Sequence, residues 1–150
     1  MNGLHGYYFE DIAVGMTAVY SKTITEADIL MFSGVSGDTN PLHLDQTFAE
    51  STIFKSRIAH GMLSASFLST IFGTKLPGPG GVYLSQNLRF KAPVRVGDTV
   101  LARATVKELI PEKRRALFDC VCTVGETVVI EGEAVIMIPA RPANHGIAAE

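Results

Sequence analysis

Two spacings of apolar residues divide the chain. Up to about residue 75 they recur at helical intervals between short polar breaks, and beyond residue 81 they alternate as in strands. Residues 9 to 15 (FEDIAVG) end in a turn-like Gly15, and Thr17 to Ser21 suit a short first strand. Thr25 and Asp28 stand three apart, the spacing of a capping box, and predict a helix to about Ser36 with Ile29, Phe32 and Ser33 on one side. The run SGDTNPLHLD (36–45) contains a Gly and a Pro and predicts no regular element, while Asp45 suits the cap of a short helix through Phe48. From Gly61 to Phe72 the chain reads GMLSASFLSTIF, with no charge on any side and many small residues, which predicts a helix inside the protein. LPGPGG (76–81) ends it.

Strand-like alternation follows. In 82–91, Val82, Leu84, Leu88 and Phe90 share one face, opposite Tyr83, Ser85, Asn87, Arg89 and Lys91. In 99–108, Val100, Ala102, Ala104 and Val106 face away from Thr99, Arg103, Thr105 and Lys107. Residues 114–124 and 127–138 flank Gly125-Glu126, a hairpin signal. Helices first and four long consecutive antiparallel strands afterwards predict an α+β fold, a curved antiparallel sheet wrapped around one buried helix. A small sheet leaves an edge open, so at least a homodimer is expected. A single domain is expected over 1–139, with a flexible tail over 140–150.

The 150 residues suffice for one core without disulfides or metals. Thirteen basic and fifteen acidic residues leave a formal charge of −2, which predicts no nucleic-acid or membrane partner. The first eight residues show neither a basic start nor an apolar run, and Gly61–Phe72 is too short to span a bilayer, so a cytoplasmic location is expected. Cys120 and Cys122 would share one strand face, and they read as small buried residues in a reducing compartment rather than as metal ligands.

Two places carry candidate chemistry. Asp38 and His43 lie five apart in an irregular loop, where a turn through Asn40-Pro41 can aim both side chains at one point. A carboxylate and an imidazole on one water make an acid–base pair. The same residues also read as an Asx-turn aspartate and a structural imidazole. Gly61 opens the buried helix, where unpaired N–H groups and the positive end of the helix dipole suit a developing oxyanion. It also reads as plain helix-start sterics. Together an acid–base pair and an oxyanion donor match chemistry alpha to a carbonyl, including addition of water to an enoyl thioester.

SGDTNPLHLD (36–45) resembles the signature of MaoC-type (R)-specific enoyl-CoA hydratases, and AHGML (59–63) resembles the start of the central helix of their hotdog fold. FEDIAVG, NLRFKAPVRVGDTV (87–100) and GEAVIMIP (132–139) are also similar to the family, so the resemblance covers roughly residues 7 to 139. It implies a hotdog fold and reversible hydration of trans-2-enoyl-CoA to (3R)-3-hydroxyacyl-CoA, without metal or other cofactor. Asp38 and His43 would hold and activate the water that adds to C3 and supply the proton to C2 on the same face. The Gly61 N–H would polarise the thioester carbonyl, and Asn40 would brace the loop. Ser69 would reach Asp38 from the buried helix, although it reads equally as a serine bonded to its own helix. Phe72, one turn deeper, and Val135 would line the acyl tunnel and favour short chains; Phe72 reads equally as a core residue. His60 is expected to fix the helix entrance rather than react. Arg89, Lys91 and Arg95 are candidates for the coenzyme A phosphates, each reading also as part of a solvated strand face.

Three other functions fit the same fold. One is 3-hydroxyacyl-[acyl-carrier-protein] dehydration, the same reaction reversed on another carrier; the others are thioester hydrolysis and non-catalytic acyl-CoA binding. The Asp38–His43 loop speaks against the last two.

Overall fold

The computed structural model describes residues 4–143. A 3-10 turn (Phe9–Asp11) leads into β1 (Thr17–Thr23), and α1 (Glu26–Ser36) follows. Its start is the expected capping box: the Asp28 N–H donates to Thr25 Oγ1 (3.3 Å), and the Thr25 N–H donates back to the Asp28 carboxylate (2.8 Å). Gly37 at φ 77° ends the helix in the left-handed region, and its N–H donates to Ser33 O (2.9 Å).

The loop 36–45 departs from expectation, for it contains a single-turn helix, α2 (Pro41–Leu44). Proline stands at the first helical position, where its missing N–H would have had no intrahelical partner and its fixed φ already suits a helix. α3 (Gln46–Glu50) is capped by Asp45, whose Oδ1 accepts from the Phe48 N–H at 3.1 Å.

α4 (Gly61–Thr74) is the buried helix, with Leu63, Ala65, Phe67, Leu68, Ile71 and Phe72 all in the core. Around it curves one antiparallel sheet of β2 (Val82–Phe90), β3 (Thr99–Ile110), β4 (Arg115–Val124), β5 (Thr127–Met137) and β1, in the order β1-β3-β4-β5-β2. The inner face of β3 is the one expected from alternation, and the face that Cys120 and Cys122 share is the inner face of β4. Val100, Ala102, Ala104 and Val106 of β3 and Ala116, Phe118, Cys120 and Cys122 of β4 are all buried. Alanines at the middle of β3 leave room for α4 to lie close against the sheet. Both cysteines are free, and burial pushes their thiols up to about 11 for Cys120 and about 12 for Cys122. β4 and β5 form the expected hairpin, with Gly125 at φ 56° in its two-residue loop.

β2 pairs with β5 at one edge of the sheet, and in the segment that leads on to β3 Val94 O accepts from the Ala59 N–H at 2.7 Å. One expectation about β2 needs correction, for its apolar face is largely uncovered: Val82, Leu84 and Phe90 are 45%, 41% and 54% exposed. A bulge between Tyr83 and Ser85 breaks the simple alternation, and an edge strand has only one neighbour to pack on.

At the C-terminal side, Pro139 O accepts from the Phe9 N–H (2.9 Å), and the Arg141 N–H donates to Glu10 Oε2 (2.9 Å) while its guanidinium pairs with Asp11. Residues 140–143 of the expected tail are thus described and in part tied down; its remainder, 144–150, lies outside the described residues. Among the described residues no helix is long and apolar enough to cross a membrane.

Candidate active site

Asp38 sits between α1 and α2 in a loop fixed by local hydrogen bonds. Its N–H donates to Ser36 Oγ (3.1 Å), and its Oδ1 accepts from the Asn40 N–H (3.2 Å). Asn40 Oδ1 in turn accepts from the Leu42 N–H (3.0 Å) and caps α2. This is the Asx-turn geometry that the sequence permits, and it commits Oδ1 while leaving Oδ2 for another partner.

His43, in α2, is buried, and its Nδ1 lies 2.8 Å from Ile58 O. A carbonyl only accepts, so Nδ1 carries the hydrogen and Nε2 presents a lone pair. Burial lowers the His43 pKa below its ordinary 6.5, the Ile58 hydrogen bond opposes this, His60 lowers it further and Asp38 opposes in turn. The imidazole is therefore neutral at neutral pH, the state a proton acceptor requires. If His43 serves as that acceptor, kcat/KM for hydration should hold down through pH 6.5 and fall only below it. A rate profile whose acid limb is centred above 6.5 would contradict that role.

His60 brings these parts together. Its ring stacks on His43 with centroids 3.8 Å apart, and its Nε2 lies 3.0 Å from Asp38 O and 3.3 Å from Ser33 Oγ. Arg57 holds the same region from outside, donating from Nε to His43 O (2.7 Å) and pairing with Glu26. Asp38, His43 and His60 place one ligand-type atom each within 4.8 Å of one another. By donor type this set suits either a metal ion or a water held between a carboxylate and an imidazole.

Gly61 follows His60 and opens α4. Its N–H has no partner among the described residues, as expected for a first helical turn. A Cβ here would lie 2.6 Å from the Phe90 ring, so a side chain would displace it. Asp38, His43, His60 and Gly61 all line one cavity of about 390 Å³, whose other walls include Phe54, Ile58, Met62, Val94 and Ile130. Lys91 lines it too and pairs with Glu131 at 3.5 Å, whereas Arg95 is engaged by Ser56 and by Phe54 O. Arg89 lies on the outer groove of the sheet.

Ser69, expected to reach Asp38, is not brought to it within the chain, and Phe72 and Val135, expected along the acyl tunnel, do not line this cavity. Ser69 is exposed and does not line the cavity; Ser64 does. The cavity lies at the first turn of α4, and Ser69 stands about 140° around the helix from Ser64. Phe72 is buried against Tyr83 and Phe118, with centroids 5.1 and 4.9 Å away, in the core rather than on the cavity wall. Val135, flanked by the core residues Ala134 and Ile136, points by alternation to the other face of β5. No motif in the sequence marks Ser64, although it follows His60 by one helical turn.

A family model described as a MaoC like domain matches residues 11–132. An (R)-specific enoyl-CoA hydratase of Rhodospirillum rubrum is 58% identical over 135 residues, covering 90% of this chain and 94% of that protein. A 3-hydroxybutyryl-CoA dehydratase of Methylorubrum extorquens is 50% identical over 134 residues, covering 89% and 85%. Among solved structures, the (R)-hydratase from A. caviae involved in PHA biosynthesis superposes with a TM-score of 0.83 at 43% identity, over 87% of this chain and 99% of that one. With that match in sequence and in fold, the chain belongs to the MaoC-like family and has its hotdog architecture.

Proposed function

We propose that the cavity between α2 and α4 hydrates trans-2-enoyl-CoA to (3R)-3-hydroxyacyl-CoA, with Asp38 and His43 acting on one water. The chain is a hydro-lyase of the enoyl-CoA hydratase class. The observation that carries the mechanism is the meeting, in one largely apolar cavity, of Asp38, of His43 with its Nε2 lone pair free, and of the unpaired Gly61 N–H.

The thioester carbonyl accepts from the Gly61 N–H at the positive end of α4, which draws electron density from C3. The water between Asp38 and His43 gives its oxygen to C3 and one proton to the pair. C2 receives a proton from the same pair on the same face, so one H and one OH are added and the two side chains end as they began. Apolar walls keep bulk water from competing for the enolate. Hydration of crotonyl-CoA, followed by loss of the enoyl chromophore, tests the activity. The same measurement on the crotonyl thioester of acyl carrier protein separates the CoA reading from its nearest rival. A higher kcat/KM on the protein-bound thioester would overturn the carrier assignment.

The functional unit on this reading is a homodimer. The open edge of β2, the exposed Val82, Leu84 and Phe90 and the exposed Met62 of α4 are apolar surface that a second copy would cover. Such pairing would also let Ser69 and Val135, which face outward, meet a tunnel that runs between copies. Sedimentation should give a dimer, and Leu84→Lys should shift it to monomer with loss of activity. An active monomer at assay concentration would contradict the pairing. The buried free thiols are in keeping with a reducing, cytoplasmic setting.

A further inference from the structure

Two polar atoms of residues lining the cavity are buried without a hydrogen-bond partner: Nδ1 of His60 and Oγ of Ser64. The residues are four apart, one turn along the start of α4. Buried donors and acceptors are nearly always paired, so two orphans one helical turn apart call for a cause. Each atom exposes less than 1 Å², which leaves no surface for bulk water to satisfy.

Helical hydroxyls ordinarily return to their own backbone. Ser66 does so on Leu63 O at 2.5 Å, and Thr74 on Thr70 O at 2.6 Å. Ser64 makes no such bond, so its hydroxyl proton is free for another acceptor. His60 supplies one. Asp38 O can only accept, so the 3.0 Å contact places the ring hydrogen on Nε2 and leaves Nδ1 a bare lone pair. The unpaired donor one helical turn on is Ser64.

We infer that in the working enzyme the Ser64 hydroxyl donates to His60 Nδ1, and that Ser64 is thereby a positioning residue for the catalytic pair. This rests on the reading of Asp38 and His43 as that pair. The adjustment involves side-chain torsions at two residues on adjacent turns. The connected contacts then run from Ser64 Oγ–H to His60 Nδ1, from Nε2–H to the Asp38 carbonyl, and from the His60 ring face to the stacked His43. One hydroxyl fixes both the tautomer and the rotation of His60. In the other tautomer Nδ1 would hold the hydrogen, and the grip on the Asp38 carbonyl would be lost.

The test uses Ser64→Ala and Ser64→Thr, with Asp38→Asn alongside. Imidazole nitrogens are read by NMR on protein labelled with 15N-histidine, and kcat and KM are measured on crotonyl-CoA. Wild-type protein should show His60 as a single tautomer with hydrogen on Nε2 and a hydrogen-bonded Nδ1. Ser64→Ala should mix the tautomers and lower kcat about tenfold with KM within about twofold, the signature of misplaced catalytic groups rather than lost binding. Ser64→Thr, which keeps the hydroxyl, should restore most of both. Unchanged His60 nitrogens and unchanged kcat in Ser64→Ala would overturn the inference, as would a loss that threonine does not repair or one expressed in KM. If Ser64→Ala behaves as wild type while Asp38→Asn is inactive, only this inference fails. If Asp38→Asn is fully active, the reading of the pair fails and the positioning role goes with it.

Discussion

Replacing Asp38 by Asn or His43 by Ala is expected to lower kcat for crotonyl-CoA hydration by a factor on the order of 100 or more, in protein that still folds. Asp38→Asn keeps Oδ1, and with it the bond from the Asn40 N–H that shapes the loop, so circular dichroism and the melting temperature should barely change. What it removes is the charge that holds the water and takes part in proton transfer. His43→Ala costs more in stability. It deletes the bond to Ile58 O and a ring stacked on His60, and leaves a buried carbonyl unpaired at about 1–3 kcal/mol. Near-normal turnover in either folded variant would remove that residue from the mechanism.

Gly61→Ala should have the next largest effect, a loss on the order of 100-fold in kcat. The added Cβ meets the Phe90 ring at 2.6 Å, far inside contact distance. Phe90 is half exposed and can move, so folding should survive. The new methyl nevertheless stands beside the N–H that the thioester carbonyl must approach. Because polarisation of that carbonyl matters most as charge develops, the loss should fall on kcat more than on KM. If instead KM alone rises, the methyl merely obstructs entry, and the Gly61 N–H is not an oxyanion donor.

How much of this could be read from the sequence depended on whether the deciding contacts were local. The capping box of Thr25 and Asp28, the alternation of β3 and the hairpin turn at Gly125 are settled within a few residues, and the structure has them where the pattern puts them. The turn at Pro41 escapes the rule that proline breaks regular structure, because at a first helical position proline starts a helix. The place of β2 was not legible, since alternation tells which side chains share a face but not which strand lies alongside. The same limit applies on α4. Helical phase shows that Ser64 and Ser69 face different ways, yet which of them looks toward Asp38, 26 and 31 positions earlier, depends on how the intervening chain packs. The stacking of His60 on His43 is likewise a tertiary fact. Two orphaned polar atoms have no sequence signature at all.

On this mechanism one water, held between Asp38 and His43, is added across the enoyl double bond from one face. Hydration of crotonyl-CoA in D₂O tests it directly, with the configuration at C2 and C3 of the product read by NMR after conversion to a chiral derivative. The product should be (3R)-3-hydroxybutyryl-CoA with the deuterium at C2 and the hydroxyl at C3 on the same face. A (3S) product, or deuterium on the face opposite the hydroxyl, would contradict it.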